Sequence, residues 1–239
     1  MRKALTILIL SAGFVFSQIP PIELKVGEGN LVDSIRLLIF LTILSLVPSI
    51  LIMFTSFTRL VVVLSLLRQA IGTPQAPPNQ VIIALSLFLT FFIMKPTIDK
   101  INSEALQPYI REEISDEEFF KRVEFYAKDF MLKHTRKETL EAFLSIAKIP
   151  KDSVKEPHEI PLRVVIPAFM VSELKTAFEI VFLLYIPFLI VDLVVASILI
   201  SMGIIMIPPQ LISLPFKIML FVLANGWELV VLSLVRSYQ

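Results

Sequence analysis

Two long apolar stretches, residues 180–207 and 211–235, meet in the run Met202-Gly203-Ile204-Ile205-Met206-Ile207-Pro208-Pro209-Gln210, whose glycine and two prolines are helix breakers. A proline pair and a glycine inside so apolar a run force two hydrophobic helices to turn back on each other. Backbone released from helical hydrogen bonding costs several kcal/mol in lipid, so an elbow of this kind belongs against protein or beside water. A pore lining or a subunit interface is the natural place for it.

Composition agrees with a membrane protein. The 239 residues are 56% hydrophobic with a mean hydropathy of +0.80, well above a soluble domain. The net charge of +1 offers no basic surface for nucleic acid, and the charges gather in one block between Asp99 and Arg163. The absence of cysteine excludes disulfides and thiolate metal sites. Arg2 and Lys3, an apolar stretch over 4–16 and Ser17 before Pro20-Pro21 fit a signal peptide over residues 1–17; an uncleaved first helix is the alternative.

The pattern predicts an all-α integral membrane protein with two proline-broken hydrophobic helical hairpins, residues 31–96 and 163–239, and a small helical domain inserted at 97–162. In the first hairpin a helix over 35–53 is interrupted by Pro48, and 57–67 continues it past Arg59. The run Gly72-Thr73-Pro74-Gln75-Ala76-Pro77-Pro78 then turns the chain into a second helix, 81–94, ended by Lys95-Pro96. At about 1.5 Å per residue this second helix is shorter than a bilayer core of about 30 Å and is expected to tilt or to pack on protein. Both elbows carry a double proline followed by Gln80 or Gln210, a hint of a duplicated hairpin.

The insert has a different period. Ser115 to Glu118 resembles a capping box, and Phe119, Val123, Tyr126, Phe130 and His134 then mark one helical face. Thr135 to Glu138 repeats the capping signal before a second helix, whose Leu140, Phe143, Leu144 and Ala147 are expected to pack on the first. Its charges read mainly as a solvated face. If the signal segment is cleaved, this domain lies outside the cytoplasm and both elbows face inward; loops of this length say little through the positive-inside rule.

Charges inside or bordering the apolar helices need partners, water or headgroups: Arg59, Glu173, Lys175, Glu179, Asp192, Lys217 and Glu228. Lys175 and Glu179 are placed to pair along one helix face, whereas Asp192 must draw its partner from another helix or another copy. Two readings stay open, an ion path and a set of inter-subunit salt bridges. The second is preferred because a relay would want closer-spaced carboxylates or histidines. Met202 and Met206, four apart beside Gly203, are either ordinary core filler or, repeated around an axis, a deformable seal.

Catalytic motifs are missing. There is no Gly-x-x-x-x-Gly-Lys loop, no His-Glu-x-x-His pattern around His134 or His158, and no Gly-x-Ser-x-Gly elbow. No enzyme activity, cofactor or metal is expected.

Pro167-Ala168-Phe169, Ser172-Glu173-Leu174-Lys175-Thr176-Ala177-Phe178, Pro187-Phe188-Leu189 with Asp192, and the run from Ser201 to Trp227 together resemble the FliP family. The match extends from about Leu31 onward. That family, with its virulence-secretion relatives, forms part of the export gate of type III secretion systems. The resemblance implies a multi-pass protein of the bacterial inner membrane at the flagellar basal body, with the central domain extracytoplasmic. It also implies a homo-oligomer of several copies with FliQ-like and FliR-like membrane proteins, conducting unfolded flagellar subunits. A methionine-rich gasket would lie at Met202, Gly203, Ile204, Ile205, Met206, Pro208 and Pro209; here Ile204 and Ile205 stand where relatives often carry methionine, which implies a stiffer seal. The alternative function is a small-solute or ion transporter using Asp192 and Lys217 as coupling charges.

Overall fold

The computed structural model describes residues 31–150, 154, 156–204 and 206–238; the expected signal peptide and Ile205 lie outside them. The described residues form helices joined by short turns, with no strand among them. They divide into two compact units at Val47 and Pro48. Helix α1, Leu31–Phe54, straddles that boundary. It runs through Pro48 rather than being interrupted there, and its described side chains from Ile35 to Ile50 are exposed.

A new helix, α2, Phe57–Ile71, follows a break at Thr55 and Ser56. The expected continuation past Arg59 stops at this break because hydroxyls take over the end of α1. Thr55 Oγ1 donates to the Leu51 carbonyl and accepts from the Phe57 amide at 3.3 Å, while Thr58 Oγ1 donates to the Ile52 carbonyl at 2.8 Å. Leu60, Val63, Leu64, Leu67 and Ile71 recur on one face of α2 and are buried, making it the centre of the larger core.

Helix α3, Asn79–Ile101, returns from the first elbow. It was expected to end at Lys95-Pro96, yet it passes through Pro96, continues as a π-helical turn, Asn102–Leu106, and ends as α4, Gln107–Ile110. The resulting 32-residue span removes the expected shortage of length. The π turn is supported from outside, since Arg122 donates to the Glu104 carbonyl at 2.8 Å.

The polar segment supplies α5, Asp116–His134, and α6, Lys137–Ile146. Ser115 caps α5 by accepting from the Glu118 amide at 3.3 Å, as its sequence predicts. Thr135 does not cap α6. Its hydroxyl donates backward to the Met131 carbonyl at 2.7 Å, closing α5, and Arg136 occupies the cap position of α6. Helix α6 packs on the long α7, Leu162–Ser201, rather than on α5 as expected. The second core therefore joins Phe130, Met131 and Leu144 of the polar segment to Met94 of α3 and to Val164, Val165 and Phe169 of α7.

Helix α7 is 40 residues long, about 60 Å at 1.5 Å per residue and roughly twice a bilayer core. Helices α8, Pro209–Leu223, and α9, Gly226–Arg236, follow, bent by 61° at Ala224 and Asn225. Three helices are long and apolar enough to cross a membrane among the described residues, and a fourth span is available if the bent pair counts as one.

Candidate gate elbow and buried charge pairs

Both elbows use the same local chemistry. At the first, Gly72 is left-handed (φ 91°), its amide donates to the Gln69 carbonyl at 3.0 Å, and Thr73 donates to the Arg68 carbonyl at 3.2 Å. At the second, Gly203 (φ 75°) donates to Ile200 at 2.9 Å and Ile204 to Leu199 at 2.9 Å. These paired bonds form a Schellman stop, which satisfies carbonyls that a helix end leaves free. Proline then starts the return helix: Pro78 caps α3, and Pro208 with Pro209 opens α8, where a missing amide hydrogen costs nothing. Arg68 ties the first elbow by donating to the Pro77 carbonyl at 2.8 Å. Leu214, near the start of α8, lies 3.2 Å from where a side chain on Gly72 would begin, so the two elbows sit towards the same end of the bundle.

The tip of the second elbow is apolar and uncovered. Met206 is 97% exposed and Met202 68%, and Gly203, Ile207 and Pro208 are exposed beside them. Ile204 and Pro209 are half-buried.

The singled-out charges fall into three groups. Asp192 on α7 meets Lys217 on α8 at 2.6 Å and also accepts from the Ser213 hydroxyl, a clamp across the hairpin just below the elbow. Arg59 and Glu173 form an ion pair, with side chains 4% and 0% exposed. Glu179 does not pair with Lys175; it accepts from Arg136, while Lys175 and Glu228 are exposed.

Around Arg59 and Glu173 stand residues that sequence reasoning did not select as a site. Tyr238 donates to Glu173 and lies 3.4 Å from the Ser56 carbonyl, and its ring lies under the Arg59 guanidinium at 3.8 Å. Arg59 also donates to Ser237 Oγ at 3.0 Å and to its carbonyl at 3.3 Å. His134 closes the far side, with Nδ1 2.8 Å from the Phe130 carbonyl and Nε2 3.4 Å from that of Tyr238. Burial first, and then the neighbouring Glu173 carboxylate, push the Tyr238 hydroxyl well above the usual phenol range, so it remains a donor. The readable signal for Ser213 was its spacing of four from Lys217; Tyr238 gave none, because its partners lie far away in sequence.

No group of acidic, histidine or cysteine side chains suited to a metal occurs among the described residues. Among the described residues the geometry offers structural locks and an apolar tip.

The FliP family pattern matches residues 40–234. The flagellar biosynthetic protein FliP of Bacillus subtilis (strain 168) is 53% identical over 210 residues, covering 87% of this chain and 94% of that protein. The protein of the same name from Pectobacterium carotovorum subsp. carotovorum is 48% identical over 234 residues, 97% and 90% of the two chains, and that of Caulobacter vibrioides is 48% identical over 236 residues, 99% and 88%. With the family pattern covering most of its length and relatives this similar from end to end, the chain belongs to the FliP family of flagellar biosynthetic proteins.

Proposed function

We propose that several copies of this chain assemble in the bacterial inner membrane, with FliQ-like and FliR-like proteins, into the entry gate of the flagellar protein export apparatus. Unfolded flagellar subunits are the cargo. The elbow from Met202 to Gln210 forms the constriction, and residues 97–162 lie on the extracytoplasmic side. The observation that carries this reading is the uncovered apolar tip: a Schellman glycine and two prolines hold Met202 and Met206 outward at the end of a clamped hairpin. A lone chain in lipid gains nothing from a broken backbone there, whereas a ring of copies shelters it. Flexible, polarizable methionine side chains close around one another and deform around a passing chain.

Asp192 is held by both Lys217 and Ser213, which favours a structural clamp over a coupling charge for solute transport. Arg59 and Glu173 likewise serve the fold of the protomer, leaving Lys175 and Glu228 as exposed charges for register between neighbours. The test is co-expression with the small membrane partners, native mass spectrometry, and ion conductance of the recovered complex. A multi-copy complex that leaks ions when Met202 and Met206 are both shortened to alanine supports the gate. A lone monomer, or an assembled complex with unchanged conductance, contradicts it.

A further inference from the structure

Helix α9 is joined to the rest of the chain in two very different ways. At its start, Asn225 is left-handed (φ 48°) and Gly226 packs so closely that an added side chain would lie 2.2 Å from the Phe221 ring. Asparagine tolerates that conformation and glycine permits the approach, so the 61° bend is built into the local sequence. Just past its end, Ser237 and Tyr238 insert among α2, α5 and α7 through the contacts with Arg59, Glu173 and His134. Between bend and insertion, one face of α9 joins the core around α2 through Val230 and Leu234, while Leu229 and Leu232 are exposed.

We propose that α9 is a latched arm, pivoting at Asn225 and Gly226 and held down by Tyr238, whose hydroxyl closes on Glu173 and whose ring covers Arg59. Two features confine what release of the latch disturbs, beyond lifting Val230 and Leu234 from the core. Arg59 and Glu173 keep each other when Tyr238 leaves, so no buried charge is abandoned. Helix α8 is fastened to α7 separately by Asp192, Lys217 and Ser213, so the elbow hairpin stays closed while the arm moves. The arm has 11 residues, so a swing of roughly 20° carries its far end about 6 Å. This device belongs to the single chain and stands or falls separately from the gate.

The chain has no cysteine, which makes site-directed spin labelling clean. In the full-length protein, labels at Leu232→Cys on α9 and Lys137→Cys on α6 report the arm by pulsed dipolar spectroscopy, and labels at Leu193→Cys and Leu220→Cys report the α7 and α8 clamp. Tyr238→Phe keeps the ring and removes the hydroxyl. It is expected to raise the released population about tenfold, as for loss of a hydrogen bond to a carboxylate, with the clamp distance unchanged. Tyr238→Ala is expected to go further, and if it fails to fold the phenylalanine variant alone decides. An arm distribution identical to the parent in Tyr238→Phe overturns the latch, as does a clamp distance that shifts together with the arm.

Discussion

Lys217 is the side chain with most to lose from a single change. Its side chain is only 7% exposed, and its ammonium is matched by Asp192 at 2.6 Å. Asp192→Asn removes the counter-charge and is expected to destabilise the protomer by about 3 kcal/mol, while the double variant with Lys217→Met recovers most of the loss; thermal unfolding in detergent measures both. Glu179→Gln, which breaks the pair with Arg136 at a carboxylate 51% exposed, is expected to change stability by no more than about 0.5 kcal/mol in the same measurement. On α5, Lys121 holds the Glu117 carboxyl below its usual range. The contribution of that pair is therefore present above the ordinary carboxylate pKa and is lost as pH falls through the lowered one. Lys121→Met should move the Glu117 midpoint upward in a carboxyl NMR titration, and an unmoved midpoint would mean the pair is absent in solution. At this scale the sequence was half legible. Asp192 announced its need for a partner because an aspartate in an apolar helix is expensive, but which cation answers depends on how α7 and α8 are aligned. Tyr238 was invisible, since a tyrosine just past an amphipathic helix has no local mark of a buried partner 65 residues away.

Prolines act differently from element to element, and glycine decides how. Gly72 precedes Pro77 and Pro78, Gly203 precedes Pro208 and Pro209, and in both places the chain turns. Pro48, Pro96, Pro167, Pro187 and Pro215 have no such glycine beside them, and the helix runs on through each. A proline removes one hydrogen bond and crowds one carbonyl, which a well-packed helix can absorb; reversal needs the left-handed residue as well. That is why the elbows could be read from sequence while the end expected at Pro96 was misplaced. Gly203→Ala meets open space, so its cost is the left-handed backbone alone, about 1 kcal/mol. Gly72→Ala carries the same backbone cost and also presses on Leu214, so it should unfold at lower temperature than Gly203→Ala; the reverse order would contradict the packing between the first elbow and α8. The capping of α5 was legible because a serine cap is local chemistry, whereas the packing of α6 on α7 was not, because an apolar face does not name its partner.

Along the whole molecule, α7 is the spine. Glu173 and Asp192 stand nineteen residues apart on it, about 28 Å at helical rise, and each closes a different lock. The first ties α7 to α2 and to Tyr238, beside the polar segment; the second ties it to α8 below the elbow. The protomer thus holds its hairpin shut by internal bonds and leaves an apolar tip uncovered, the surface that the proposed gate has meeting copies of itself. The most direct test of that meeting uses Met206→Cys in the otherwise cysteine-free chain, assembled with its membrane partners and oxidised under mild conditions. Elbows converging on a shared axis give efficient disulfide-linked dimers of this chain, while Leu193→Cys on the body of α7 serves as the comparison and links poorly. Efficient assembly with no linkage at Met206, or linkage no better than at Leu193, would place the elbows apart and contradict the gate.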